Sequence, residues 1–303
     1  MPAATHVTID GHELRLSNLT KVLYPGNGFT KAEVIDYYRA VAPVLLPHLR
    51  DMCPTLVRAP NGVDGEVFFE KRCPPHHPDW IVEGPANGVR NACVIDSLPG
   101  LVWTANLAAL ELHVQQTPRD TLRTPRAMVF DLDPGPGTDI IDCRRVAHQL
   151  LDFLAQLGLA TVLVKTSGSK GLHLSVPLNP QLAPSGDDDT TDDDTKKFAL
   201  ALGQLLEQRD DRVTTTMAKV ERPGKVFVDW SQNDRHKTTV APYSLRIRQL
   251  PTVSTPITWD ELDAAPDAGA LVFEAPAVVA RVDAHGDLWA DALTTHQTLP
   301  PLG

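Results

Sequence analysis

The chain has 303 residues, is 42% hydrophobic and carries a net charge of −10. That length and apolar content can bury a core in one large domain or two modules, and no run of about 18 apolar residues is present to cross a membrane. The charge excludes a uniformly basic nucleic-acid coat, but six of the negative charges sit in residues 187–194, and the remainder carries −4; local basic patches decide DNA contact.

The start, Met-Pro-Ala-Ala-Thr-His, lacks a basic stretch and an apolar core, so the chain reads as unprocessed and cytoplasmic. Ser17-Asn18-Leu19-Thr20-Lys21 and Thr30-Lys31 read by themselves as a solvated lysine face. Thr30 is a candidate N-cap with Glu33 three positions on, and Val34, Ile35, Tyr37, Tyr38, Val41 and Leu45 continue a helix over 30–47. Strands are expected at 55–59 and 67–70 around the turn Pro60-Asn61-Gly62. Cys53, Cys73, Cys93 and Cys143 are widely spaced and read as reduced thiols; Cys73-Pro-Pro-His76-His77 with Cys93 is also a sparse match to a zinc ligand set. A helix is expected over 99–115, ending near His113, which alone reads as a structural histidine. There follow a strand at 127–133, a helix at 139–157, strands at 160–166 and 172–177, a helix at 195–209 and a strand at 225–230. The acidic run 187–194 reads as a solvated insertion, the alternative being a metal-binding tail. Beyond 249 the chain is proline-rich and irregular, apart from a short helix near 258–264. The pattern predicts an α+β chain with a mixed sheet, divided into an N-terminal α/β module (1–120) and a catalytic module (121–303).

Three motifs carry chemistry. In Met128-Val129-Phe130-Asp131-Leu132-Asp133-Pro134, strand alternation puts Asp131 and Asp133 on one face and Phe130 and Leu132 on the other. Two like charges at a strand end suit a divalent cation, although a solvated strand end reads equally well. Asp-x-Asp also opens haloacid-dehalogenase-type phosphatases and occurs in glycosyltransferases; the Gly-Thr that follows in the former is missing here. In Phe227-Val-Asp229-Trp-Ser-Gln-Asn233, Asp229 ends another apolar strand, where it could cap a turn or complete a two-metal site. Thr166-Ser167-Gly168-Ser169-Lys170-Gly171-Leu172-His173 reads as a hairpin turn or an anion-binding loop; it lacks the Walker spacing.

In this order, and with Thr238-Thr-Val-Ala-Pro-Tyr-Ser-Leu-Arg246 following, the motifs resemble the polymerase domain of bacterial DNA ligase D. That family lies in the archaeo-eukaryotic primase superfamily, and the likeness runs from about Ser17 to Trp259. The resemblance implies a primase-like fold, with a mixed central sheet in an RRM-like catalytic module. It implies Asp131, Asp133 and Asp229 as catalytic metal ligands for Mn²⁺ or Mg²⁺ in a two-metal site. It assigns His113, Ser167, Lys170, Arg222 and Arg246 to the incoming NTP or dNTP, and Phe68 and Phe69 to the nucleotide and template bases; their plain reading is as core strand residues. Asn18, Lys21 and Lys31 would bind the 5′-phosphate of a downstream strand. The implied activity is addition of nucleotides, ribonucleotides included, to 3′ ends at gaps or double-strand breaks in bacterial non-homologous end joining. The implied partners are DNA ends, gapped DNA, the end-joining factor Ku and a separate DNA ligase, at the nucleoid. No ligase or phosphoesterase motif is found, so a stand-alone member or an excised domain is expected. Gap filling in excision repair and a non-catalytic DNA-end-binding module are the competing functions.

Overall fold

A computed structural model describes residues 4–86, 88–183 and 189–301. The chain forms two compact units: 1–115 with 240–254 and 273–287, and 116–239 with 255–272 and 288–303. Residues 240–254 and 273–287, which the sequence assigns to the second module, therefore pack with the first.

In the first unit, Thr30 caps the helix Lys31–Leu49 through a capping box with Glu33. The apolar face of this helix packs on the helices Leu98–Asn106 and Ala275–His285. Tyr37 and Tyr38 are buried, and each places its hydroxyl on a carbonyl, of Tyr243 and Leu110, at 2.7 Å. The bond to Tyr243 ties residues 240–254 to the helix, and the Tyr38 hydroxyl adds to it by accepting the Leu245 N–H at 3.2 Å. His48 and Tyr243 both bond Asp287, at 2.9 and 2.7 Å. Beside them Thr55–Arg58 lies between Ala109–Val114 and Phe68–Glu70, antiparallel to both. The helix expected over 99–115 is in fact a helix to Asn106 and then a strand. The break falls at Ala108, whose φ of 57° is left-handed, and Ala109–Val114 then alternates polar and apolar. Two antiparallel ribbons, Thr5–Ile9 with His12–Leu16 and Glu83–Ala86 with Val89–Cys93, were not read from the sequence. Nor was the helix Ala275–His285, which opens with a proline in its first turn, where the missing N–H costs nothing.

The second unit is built on a six-stranded sheet in the order Val213–Thr214, Val226–Asp229, Ala127–Pro134, Leu172–Pro177, Leu163–Thr166, Pro256–Ile257. All its pairings are antiparallel except the first. With helices Ile140–Gln156 and Asp192–Arg209 it runs βαββαβ, and its four main strands lie in the order 4-1-3-2, as in ferredoxin-like and RRM-type sheets. Phe130, Leu132 and Val228 are fully buried. A Cβ at Gly203, on the second helix, would meet Val228 at 3.6 Å. Val228 pairs with Leu132 in register, so the helix covers their face. The opposite face, which carries the odd-numbered residues of Ala127–Pro134, holds the acids.

The acidic run lies partly outside the described residues (187 and 188). Its later members are not a loop: Thr191 caps the helix Asp192–Arg209 and Asp192, Asp193 and Asp194 fill its first turn. Carboxylates are favoured there by the exposed N–H groups and the helix dipole. Arg123 adds ion pairs to Asp192 and Asp193.

Candidate active site

Register across the second unit's sheet aligns four polar residues in one row. Lys165 pairs with His173, His173 with Asp131, and Asp131 with Asp229. Directly opposed residues share a sheet face. Asp133 stands two residues further along the same strand and so on the same side. The three aspartates are thus neighbours.

Each acid is held. Asp229 Oδ1 accepts from the Ser231 N–H at 2.9 Å and from the Ser231 hydroxyl at 2.6 Å, capping the turn Trp230–Asn233. The modest reading of Asp229 as a turn cap is therefore correct, and it coexists with the pairing to Asp131. Gln232 Nε2 donates to Asp229 Oδ2 at 3.0 Å and lies 3.4 Å from Asp131 Oδ2, bridging the two. Asn233 fixes this corner by exchanging two 2.8 Å hydrogen bonds with the backbone of Val129. Asp131 Oδ1 lies 3.3 Å from His173 Nε2, and Lys165 Nζ lies 3.1 Å from His173 Nδ1. A lysine donating to Nδ1 leaves the imidazole proton on Nε2, facing Asp131. Lys165 and His173 are both buried.

The acids remain electrostatically crowded. Burial, then the charge of Asp131, push the Asp133 carboxyl up to about 6; Asp229 adds to the rise, while His173 and Arg222 offset it. A cluster that raises the pKa of its own member is one a cation relieves. Three carboxylates on one face are also the donor set that Mg²⁺ and Mn²⁺ take, so the residues fit a divalent metal.

Around the acids, Ser167 closes its own turn. Its Oγ accepts the N–H groups of Ser169 and Gly171 at 3.2 and 3.1 Å, so those two donors point into the turn. The expected cradle of successive free N–H groups is in this respect a self-closed turn. Gly171 is obligatory, because a Cβ there would lie 1.9 Å from the Leu132 carbonyl oxygen. Lys170 is exposed at the tip. The Arg222 guanidinium stacks on Phe227, 3.6 Å from the ring centre, and donates to the Met217 carbonyl. Its own carbonyl would lie 1.9 Å from a Cβ at position 135, which requires Gly135 just after the acids.

In the first unit, His113 and Arg246 are joined by Glu111. Glu111 Oε2 lies 2.6 Å from His113 Nε2, and Oε1 accepts from Arg246 Nε at 3.0 Å and from the Ile247 N–H at 2.7 Å. Burial by itself would raise the Glu111 carboxyl, but His113, Arg246 and Ile247 together bring it down to about 2. His113 is a strand residue, not the helix end expected. A second cluster is cationic. Lys31 is buried, and burial followed by the charges of Lys21 and Arg58 lowers its ammonium to about 8. Lys21 donates to the Pro60 carbonyl and to Asn61 Oδ1. Asn18 adopts a left-handed φ of 56° and accepts the Lys21 N–H at 3.0 Å. Phe68 and Phe69 are 39% and 69% exposed, so neither is the core residue the plain reading expected.

Sequence reasoning missed Lys165, His173, Gln232 and Glu111 as site residues. The alternation of His173 and Ser175 with Leu172, Leu174 and Val176, and of Glu111 and His113 with Leu110 and Leu112, carried the signal.

The family model described as LigD, primase-polymerase domain, matches residues 30–289. The chain is 42% identical over 301 residues to the multifunctional non-homologous end joining protein LigD of Mycolicibacterium smegmatis, covering 94% of this chain and 38% of that protein. It is 31% identical over 256 residues to the bifunctional LigD of Bacillus subtilis, covering 84% and 40%. The chain thus spans well under half the length of these relatives. Among solved structures it is similar to the polymerase domain of Mycobacterium tuberculosis ligase D in complex with DNA, with a TM-score of 0.83, 40% identity, and 94% and 99% of the two chains covered.

Proposed function

The chain belongs to the LigD primase-polymerase domain family, and from that premise we propose that it is a divalent-metal-dependent nucleotidyltransferase extending 3′ ends at gaps and breaks in DNA during end joining. Its fold is the α+β, archaeo-eukaryotic primase-like one. The observation that carries the reading is the placing of Asp131, Asp133 and Asp229 side by side on one sheet face, with Asp133 raised to about 6 by burial and then by the charge of its neighbours.

Asp131, Asp133 and Asp229 are the metal ligands in this reading. Two Mn²⁺ or Mg²⁺ ions, when bound, supply Lewis-acid activation of the primer hydroxyl and charge stabilisation on the pyrophosphate leaving group. The protein's own groups do the rest. Gln232 and Ser231 fix the Asp229 carboxylate, and His173, polarised by Lys165, orients Asp131. Lys170, Arg222, His113 and Arg246 bind the triphosphate and balance the charge that grows on it, with Ser167 shaping the loop. Glu111 holds His113 and Arg246 in place. Exposed Phe68 and Phe69 offer faces for base stacking, which tolerates any sequence.

Lys21, Lys31 and Asn18 bind the 5′-phosphate of the downstream strand, an anion that relieves the crowding of Lys31 by Lys21 and Arg58. Such a contact sets register without reading sequence. DNA is thus the partner, and Ku and a separate ligase complete the pathway in this reading. The test is extension of a primer across a short gap with a 5′-phosphorylated downstream strand. It is run with ribo- and deoxynucleotides in Mn²⁺ and in Mg²⁺. Product that depends on the metal and rises with the 5′-phosphate supports the reading; no extension with either metal overturns it.

A further inference from the structure

The first unit carries a second group of metal-ligating side chains, on the excursion between Lys71 and Ile95. Cys73 and Cys93 are joined as a disulfide, against the expectation of separated thiols. The backbone brings them together: the Cys73 N–H bonds the Asn91 carbonyl at 2.7 Å, setting Cys73 beside the strand Val89–Cys93, whose partner strand places Glu83 opposite Cys93. A turn closed by the His77 N–H on the Pro74 carbonyl at 3.0 Å folds His77 back toward Cys73. Cys73 Sγ, a ring nitrogen of His77 and a carboxylate oxygen of Glu83 all lie within 4.8 Å of one another.

His77 is oriented as a ligand would be. Its Nδ1 lies 3.0 Å from the Pro78 carbonyl oxygen, which can only accept, so the ring proton sits on Nδ1. Nε2 then faces Glu83 Oε1, 3.3 Å away. A second ring proton bridges that gap as an ion pair, a metal ion can take the proton's place, and a hydrogen-bonded Nδ1–H is the usual support of a metal-binding imidazole. One buried apolar cluster of this segment is small: Cys53, Ala86, Ala92 and Val94 with Val89 against them. So small a core gains from a crosslink or a metal.

We propose that, once its disulfide is reduced, the chain binds one Zn²⁺ through Cys73, His77, Glu83 and Cys93. Two electrons from an added phosphine and two protons from water turn the disulfide into two thiols, and the water oxygen leaves on phosphorus as the phosphine oxide. Binding then displaces the two thiol protons to solvent, and both sulfurs, the imidazole Nε2 and one carboxylate oxygen complete a tetrahedral set. The sulfurs must part to about 3.8 Å around the ion. With Cα atoms 4.7 Å apart, rotation of the two short side chains supplies that separation.

The full 303-residue chain, treated with a phosphine and then freed of it, is titrated anaerobically with Co²⁺ as a spectroscopic substitute. Thiolate-to-cobalt charge-transfer absorption is expected to saturate at about one ion per chain and to be bleached by Zn²⁺. Carboxylate-only sites give no such absorption, so Asp131, Asp133 and Asp229 do not contribute to the signal. Cys73→Ser and Cys93→Ser should abolish it, and Cys53→Ala and Cys143→Ala should leave it. His77→Asn and Glu83→Gln, which keep the hairpin's backbone bonds, should weaken Co²⁺ binding at least about tenfold. The proposal is overturned by the absence of the absorption from the reduced wild-type chain, by its survival in Cys93→Ser, or by thiol titration in denaturant that still finds Cys53 and Cys143 alone after reduction.

Discussion

The acids of the second unit and the lysines of the first are electrostatic mirror images. Burial, and then the like charge of Asp131 and Asp229, raises Asp133 to about 6. Lys31 is buried near Lys21 and Arg58 until it falls to about 8. Between them in character stands the Glu111 group, where His113 and Arg246 compensate the carboxylate and bring it down to about 2. A site whose charges already balance is finished by the protein itself. In the proposed reading, a site whose charges repel is completed by a ligand of the opposite sign, a divalent cation in one case and a phosphate in the other.

The sharpest way to break the comparison is to remove an acid. Asp131→Ala, Asp133→Ala and Asp229→Ala should each lower kcat for primer extension by at least about 10³-fold, roughly 4 kcal/mol of barrier. The circular dichroism of these variants should stay native, because the acids leave the buried face of the sheet untouched. Extension that survives two of these substitutions would remove the acids from the chemistry.

On the cationic side, Lys31→Met keeps the aliphatic stem and removes the charge. The preference for a 5′-phosphorylated over an unphosphorylated gap should fall about 10- to 100-fold in Kd, an amount in keeping with one buried charge-assisted contact. The salt dependence of binding should shrink by about one phosphate contact. Extension of a primer–template lacking a downstream strand should be unchanged. If that extension falls equally, Lys31 serves the fold and not the phosphate.

How far could the sequence be read? Asp131 and Asp133 were legible as a pair because alternation within one strand, Phe130-Asp131-Leu132-Asp133, states which side chains share a face, whereas Asp229 joined them only through the resemblance. The capping box at Thr30 was legible for the same local reason. Lys165 and His173 were not singled out, since their role depends on the register of three strands far apart in the chain. The pairing of Cys73 with Cys93 depends likewise on a hairpin that its own composition does not announce. The helix at 99–115 was overrun because Ala108, Ala109 and Leu112 continue its apolar count, although Leu110 and Leu112 follow a period of two. The matched motifs supplied the functional reading of His113, which its local sequence could not.

The two crowded sites also predict opposite slopes of stability with pH in the metal-free, DNA-free chain. Asp133 is raised from 3.8, so between about 4 and about 6 the folded chain holds a proton that the unfolded chain has released. Stability therefore falls as pH rises through that window. Lys31 is lowered from 10.5, so between about 8 and 10.5 the unfolded chain holds a proton that the folded chain has lost. Stability therefore rises with pH there. Asp133→Asn should flatten the first slope and Lys31→Met the second, as read from urea midpoints. Mn²⁺ should stabilise the chain more at pH 7 than at pH 4.5, where Asp133 is protonated. Slopes that persist in both variants would place the strain elsewhere.

The smallest effect is expected from a third charged cluster, acidic like the first but already compensated. Asp192, Asp193 and Asp194 lie on a helix N-terminus capped by Thr191, and Arg123 pairs with two of them. Arg123 and Asp193 are 56% and 60% exposed, so water and salt screen most of their attraction. An exposed pair of this kind contributes little to stability. Asp193→Asn should therefore leave the urea midpoint of unfolding almost unmoved and shift DNA affinity by under about twofold. Neither change should depend on Mn²⁺. A shift of stability that grows with Mn²⁺ would mean that this run, too, holds a cation, and the distinction between acids balanced by the protein and acids that await a metal would no longer separate the two clusters.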